Sequence, residues 1–472
     1  MSSSGTGPGF APGEHADGTR VAPAERADGL HTDPRELIAD RPMSTLQIGI
    51  IAVLCCLNGL DGFDVLTLSF AAPGIVRAWA ISPDVLGWVI SIGLAATGFG
   101  SLVLAPLADR LGRRPMIAAS LVAMTVGMLV CALAPTTLVL SAGRLLTGLG
   151  VGAVVPCLSA LAAEYANRRF RNLAVVIVAT GFPVGGLLGG TLSSALLERF
   201  DWRSVFVAGA LTTGVLALIS VWYLPESIEY LLARRSSGAL ARINTILARL
   251  RRPAIQALPE PGAAKTGTSL LDIVLRPELL GIALFVTVIY ALHNATTYYA
   301  LNWIPKIVVD LSLSQSQAAT VGAWCSGGGI IGALFAAWMS TRFDIKPLTG
   351  AALLGAGVLL WVFAHTPGQM ALLMTASGML GACLYGAQTS LYALMTRSFP
   401  IHVRATGIGF VTGVGRVGGI VAPIVSGHLL GKGLGYAQVS TLMALGSLIG
   451  GIALFIPVRW GRSSVPPQVR PT

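Results

Sequence analysis

Between Leu46 and residue 457 the chain repeats one feature twelve times: an apolar stretch of about twenty residues, long enough to cross roughly 30 Å of hydrocarbon as an α-helix. The stretches lie near 46–70, 85–107, 115–134, 138–163, 172–197, 204–224, 278–303, 316–340, 348–365, 369–394, 404–430 and 435–457. In lipid, each spanning segment must satisfy its own backbone N–H and C=O groups, so a chain with a dozen of them is expected to be an all-α membrane protein. Composition supports this. Charged residues make up 11% of the 472, against about 25% in a soluble globular domain. The 57 glycines follow no Gly-x-y period and sit inside the apolar runs, where small residues let helix backbones approach.

Net charge is +11, but its distribution argues against a nucleic-acid partner. Eighteen Lys and Arg residues fall in one set of connections, among them Arg110, Arg113, Arg114, Arg168, Arg169 and Arg171, and only five (Arg77, Arg199, Arg203, Lys306 and Lys432) in the alternate set. Basic loops stay on the cytoplasmic side, and an even number of spans puts both termini there too. Residues 1–41 lack apolar periodicity and read as a disordered cytoplasmic tail. They also lack the apolar core of a signal peptide. Two six-helix bundles are expected at 42–224 and 278–460, joined by a cytoplasmic linker at 225–277 and followed by a cytoplasmic tail at 461–472. Within the linker, residues 233–252 read as a basic helix lying at the membrane surface. All six cysteines lie in apolar stretches, which points to packed thiols and no metal site.

The second half repeats the first. At an offset of 232 residues Pro73 falls on Pro305, Gly100 on Gly332, Arg110 on Arg342 and Pro115 on Pro347; with a slip of one, Gly148 falls on Gly381 and Arg171 on Arg404. Parallel repeats of six spans build many secondary transporters, with the substrate site near mid-membrane between the halves.

Away from the span ends, four charges lie inside the spans: Asp61 and Asp64 in span 1, Arg144 in span 4 and Arg416 in span 11. Keeping one there costs roughly 2.5–3.5 kcal/mol on insertion scales, which marks such residues as functional. A spacing of three puts both aspartates on one helix face. Two carboxylates so close in a low dielectric resist ionising together, so at least one is expected to carry a proton, as a proton-coupled site requires. The arginines offer planar forks suited to a carboxylate. Each either recruits an anion from outside or stays paired with an aspartate. Arg416 is the preferred substrate anchor and Arg144 the residue that tunes the aspartates, although the two roles could be exchanged. At the repeat offset His293 matches Asp61. Together with Asn294, Tyr298, Asn302 and Trp303 of span 7, and Tyr385 and Gln388 of span 10, it is expected to line a cavity for a flat organic ligand. Tyr299 and Tyr392 lie on the same two spans.

The segment Ala105-Pro106-Leu107-Ala108-Asp109-Arg110-Leu111-Gly112-Arg113-Arg114 resembles the signature loop between spans 2 and 3 of the major facilitator superfamily, with Ala105 in place of the usual first Gly. Arg144-Leu-Leu-Thr-Gly148 and Pro225-Glu226-Ser227 also resemble superfamily patterns. The resemblance implies that Asp109, Arg110 and Arg113 latch the halves on the cytoplasmic side, with Glu164 as partner. Asp61-Gly62-Phe63-Asp64 resembles the Asp-Gly-x-Asp motif of the aromatic acid:proton symporters, and Arg404-Ala-Thr-Gly407-Ile-Gly409 through Arg416 is similar to their span 11. Over about residues 45–458 this implies proton-driven import of small aromatic carboxylates, of the benzoate and hydroxybenzoate class, across the inner membrane. Gly181-Phe182-Pro183-Val184-Gly185-Gly186 partly resembles an antiporter motif, with Phe182 where that motif has Gly. We take it as close helix packing, with proton-coupled export of drugs or other organic molecules as the alternative. No cofactor is expected beyond the proton gradient, and the partners expected are substrate, protons and lipid around a monomer that is not an enzyme.

Overall fold

The computed structural model describes residues 33–259, 276–400 and 403–456. Among them twelve helices are long and apolar enough to cross a membrane: spans 1 to 6 at Thr45–Trp79, Pro83–Leu111, Arg113–Ala132, Thr137–Tyr165, Arg171–Leu197 and Arg203–Tyr223, and spans 7 to 12 at Leu279–Asp310, Gln315–Met339, Ile345–Ala364, Met370–Ser398, Thr406–Gly431 and Tyr436–Phe455. Spans 1 and 7 run past the expected ends at 70 and 303, through the repeat-related Pro73 and Pro305. Proline removes a backbone donor, and packed neighbours in a bundle let a helix continue past it. Span 2 is irregular where span 1 is not, with a π-helical turn at Gly100–Leu104 and a 3₁₀ turn at Ala105–Leu107.

Three hydrophobic cores organise the molecule, and their placement defines its state. One is shared by both halves and lies toward the arginine-poor face, joining Phe70, Ile75, Leu86, Trp202 and Phe206 to Trp303, Ile304, Val308, Val321 and Leu430. The other two lie toward the arginine-rich face and belong to one half each: Leu54, Leu121, Leu158 and Tyr165 in the first, Val286, Tyr290, Leu391 and Phe399 in the second. Apart from one that Arg416 makes to Ser101 deeper in the molecule, the hydrogen bonds between the halves follow the shared core. Ser69 donates to Asn302 at 2.9 Å, Ser91 to the Ile420 carbonyl at 2.7 Å, and Ser194 meets Ser316 at 2.9 Å and Thr320 at 2.8 Å. His428 reaches Asp84 at 3.1 Å. The halves are therefore packed together at the arginine-poor face and pack separately at the other.

Two expectations are corrected. The sequence reads as a disordered tail to residue 41, yet Pro34–Ala39 is helical, capped by Asp33, with Ile38 buried. Ala39 accepts from the Arg168 N–H at 2.8 Å, which docks this helix on the connection between spans 4 and 5. The expected helix over 233–252 is two helices, Ile228–Arg234 and Ala239–Arg249. Arg235 and Gly238 between them take positive φ. Ile243, Ile246 and Leu247 share one helical face and are buried in the core of the first half, so that face is covered by protein. Residues 1–32, 260–275, 401–402 and 457–472 lie outside the described residues.

Candidate functional site

Span 1 carries both aspartates and treats them differently. Asp64 points back into the first half, where Arg144 of span 4 donates from Nη1 to its Oδ1 and its backbone carbonyl, each at 3.1 Å. Both side chains are buried, at 2% and 5% exposure. Span 1 can approach span 5 this closely because glycines meet at the crossing: a Cβ on Gly185 would strike the Gly59 carbonyl. The antiporter-like motif thus serves helix packing, as expected from sequence.

Asp61 is only partly buried, and no described residue gives it a hydrogen bond or ion pair. The positive charge that acts most strongly on it is Arg416, from the other half. Arg416 spends one donor, Nη1, on Ser101 Oγ at 3.1 Å. Ser101 lies in the π turn of span 2, an irregularity that recurs at functional sites, and its hydroxyl is also within 3.0 Å of the Thr97 and Gly152 carbonyls. Asp61 and Arg416 therefore lie within electrostatic reach of each other across the halves, a carboxylate with no hydrogen-bond partner among the described residues and a guanidinium with one, Ser101.

Tyrosines surround this arginine: Tyr298, Tyr290 and Tyr392 act on it most strongly, ahead of Asp61. Tyr290 and Tyr392 meet through their hydroxyls at 3.2 Å, with rings 6.1 Å apart and inclined at 68°. Gln388 donates to the Tyr290 hydroxyl at 2.9 Å, while its own Oε1 is buried with no hydrogen-bond partner among the described residues. A Cβ on Gly415 would meet the ring of Tyr290, and one on Gly419 the ring of Tyr298. Glycines on either side of Arg416 thus let two rings of span 7 lie against span 11. Tyr290 was not among the expected site residues. It begins an i+4 series with Asn294, Tyr298 and Asn302, a ridge that the sequence displays once span 7 is read as one helix.

Other expected residues take different places. Asn294 is buried and donates to the Gly415 carbonyl at 3.2 Å, so it positions the backbone beside Arg416. Tyr385 lies closer to span 5, its ring 6.2 Å from Phe182, and its buried hydroxyl has no partner among the described residues. His293 is corrected: it is fully buried, with Nδ1 2.9 Å from Ser447 Oγ and Nε2 3.1 Å from the Leu384 carbonyl. Both ring nitrogens are occupied in packing spans 7, 10 and 12, which leaves none for a ligand. Trp303 is likewise fully buried in the shared core, and Asn302 joins the halves there through Ser69. Neither lines the site.

At the arginine-rich face, Arg113 forms an ion pair with Glu164, as the family resemblance implied. Glu226, in the Pro-Glu-Ser segment, accepts through Oε1 from the backbone N–H groups of Arg113, Arg114 and Ser227 at 2.9, 3.1 and 2.9 Å. Gly112, at φ +103, turns the chain so that these groups converge, a conformation open to glycine. Ser227 also donates to Glu164 at 2.8 Å. All these ties stay within the first half and its linker. The side chains of Asp109 and Arg110 are exposed and pair with no described residue, so the latch expected between halves is not engaged in this state.

The Major Facilitator Superfamily model matches residues 54–306 and 283–472. The chain is 32% identical over 430 residues to the 4-hydroxybenzoate transporter PcaK of Pseudomonas aeruginosa, covering 90% of this chain and 95% of that one. It is 32% identical to the gallate transporter of Pseudomonas putida, with 89% and 94% covered. Among solved structures it resembles the inward open conformation of the xylose transporter XylE from E. coli, with a TM-score of 0.68, 17% identity, and 87% and 96% coverage. The chain therefore belongs to the major facilitator superfamily, within its family of aromatic acid transporters, and is a multi-pass membrane transporter rather than an enzyme.

Proposed function

We propose that the protein imports small aromatic carboxylates, of the benzoate and hydroxybenzoate class, together with protons. In this reading the arginine-rich face and both termini are cytoplasmic, and the membrane is the inner one. The bundles at 42–224 and 278–460 rock about the site between them. The observation that carries the reading is the pairing pattern of the four charges inside the spans: Arg144 is committed to Asp64, while Asp61 and Arg416 act on each other across the halves without an ion pair. That the two relatives are a 4-hydroxybenzoate transporter and a gallate transporter supports the substrate class.

In the proposed cycle a proton from outside neutralises Asp61, which releases its hold on Arg416. The guanidinium then takes the substrate carboxylate through two parallel hydrogen bonds, and the aromatic ring rests against Tyr298 and the Tyr290–Tyr392 pair. A neutral Asp61 and an ion-paired substrate lower the charge that must cross with the moving halves. On the cytoplasmic side Asp61 loses its proton, attracts Arg416 again and the carboxylate leaves. The two states differ by an exchange of partners for one arginine, which supplies the differential affinity that alternating access needs.

The test is uptake of labelled 4-hydroxybenzoate or benzoate into vesicles with an imposed pH gradient. Uptake should rise when the exterior is acid, and in Asp61→Asn it should lose that dependence while substrate exchange across the membrane persists. Uptake indifferent to the gradient in the unaltered protein would remove proton coupling from the proposal.

A further inference from the structure

Positive charge outside the membrane runs against the usual bias of basic loops. Yet two of the five basic residues on the arginine-poor side, Arg77 and Arg203, come together where span 1 ends and span 6 begins. Beside them is a cavity of about 480 Å³, walled by Arg77, Phe200, Asp201, Trp202 and Arg203 from the first half and Gln315 from the second. Arg203 is already engaged. Its guanidinium lies 4.2 Å from the centre of the Trp202 ring, donates to the Ala134 carbonyl at 3.2 Å and reaches Asp201 at 3.4 Å. Trp202 is held edge-on by Trp79, with ring centres 5.2 Å apart. Arg77 is exposed and pairs with no described residue, and the Phe200 ring beside it is 62% exposed.

An unpaired guanidinium, an uncovered aromatic face and an amide in a cavity of this size form a receptor for a small flat anion. We infer that this cavity is a second, outer binding site for the aromatic carboxylate, with Arg77 holding the carboxylate and Phe200 the ring, and that it exists only while the outer mouth is closed. The class of ligand and the outward orientation rest on the proposed function. Dependence on closure follows from the walls: Gln315 begins span 8, and parting the halves carries it away from Arg77. A ligand that binds only the closed form multiplies the ratio of closed to outward-open protein by one plus the ratio of concentration to dissociation constant, so ten dissociation constants shift that ratio about elevenfold. External substrate in excess then slows its own uptake.

The experiment uses the full chain, purified in detergent and also reconstituted in vesicles, with 4-hydroxybenzoate as the probe. In the unaltered protein binding followed by tryptophan fluorescence should show a tight and a weak phase. Arg416→Gln should keep only the weak one and Arg77→Gln only the tight one, with Phe200→Ala weakening the weak phase. Uptake by the unaltered protein should fall beyond an optimum concentration, whereas Arg77→Gln should rise to a plateau. A tight phase alone in the unaltered protein, or a weak phase that survives Arg77→Gln, overturns the outer site and leaves the proposed function standing. Displacement of the weak phase by equal inorganic phosphate would reassign the cavity to a lipid phosphate and overturn the inference as well. Loss of both phases would overturn the substrate class along with it.

Discussion

Arg144 holds Asp64 twice with one nitrogen, through the carboxylate and through the backbone carbonyl of the same residue, at 3.1 Å each. The second contact ties the arginine to the helix as well as to the charge. This pair is therefore expected to act as a fixed strut between spans 1 and 4. Removing one member of a buried pair strands the other, which costs about 3 kcal/mol or more. Arg144→Gln should lower the melting temperature of the purified protein clearly more than Arg416→Gln. The double variant Asp64→Asn with Arg144→Gln should recover much of the loss. Equal losses for the two single variants would contradict the different roles assigned to the arginines.

Arg416 presents its fork to the space between the halves, so its planarity should matter as well as its charge. Arg416→Lys keeps the charge and loses the parallel pair of hydrogen bonds. The dissociation constant for 4-hydroxybenzoate should rise about tenfold, on the scale of 1.4 kcal/mol per decade. Arg416→Gln should abolish measurable tight binding. Calorimetric titration on the purified variants checks both.

His293 offers the opposite case. Both its nitrogens are engaged inside the second half, so His293→Ala should destabilise the protein by about 1–3 kcal/mol through stranded polar partners. The KM for uptake in the fraction that remains folded should stay unchanged. A tenfold rise in KM without loss of stability would return this residue to the site.

Closure of the arginine-poor face can be tested by cross-linking. Ser194 and Ser316 oxygens stand 2.9 Å apart across the halves. A Ser194→Cys, Ser316→Cys protein, on a background without the six native cysteines, should form a disulfide readily in the resting state and lose transport until it is reduced. Transport that continues at full rate in the oxidised protein would show that these helices need not part.

Much of this architecture was legible in the sequence because the physics of lipid is strict. Spans reveal themselves by length and hydropathy, and Asp61, Asp64, Arg144 and Arg416 stand out because each is expensive where it lies. Partner choice was not legible: nothing in the spacing of Asp61 and Asp64 says which aspartate faces Arg144, since that depends on how far span 1 is rotated where it crosses span 5. Ser101 was hidden for a related reason. A π turn in span 2 brings it to Arg416, and a regular helix would aim that position elsewhere. His293 misled because the repeat aligns it with Asp61, and a repeat conserves a helix position without conserving what that position touches. Tyr290 was recoverable from the i+4 ridge it begins.

The division of the apolar interior into one core shared by the halves and two private ones gives the conformational equilibrium a temperature dependence of its own. Parting the arginine-poor face exposes Phe70, Trp303 and their neighbours, and hydrating apolar surface raises the heat capacity. Unless closure of the opposite face removes an equal apolar area from water, the two states differ in heat capacity as well as in shape. The balance between inward- and outward-facing forms then follows a curve rather than a straight van't Hoff line, and the direction in which warming pushes the carrier depends on which side of that curve's extremum it works.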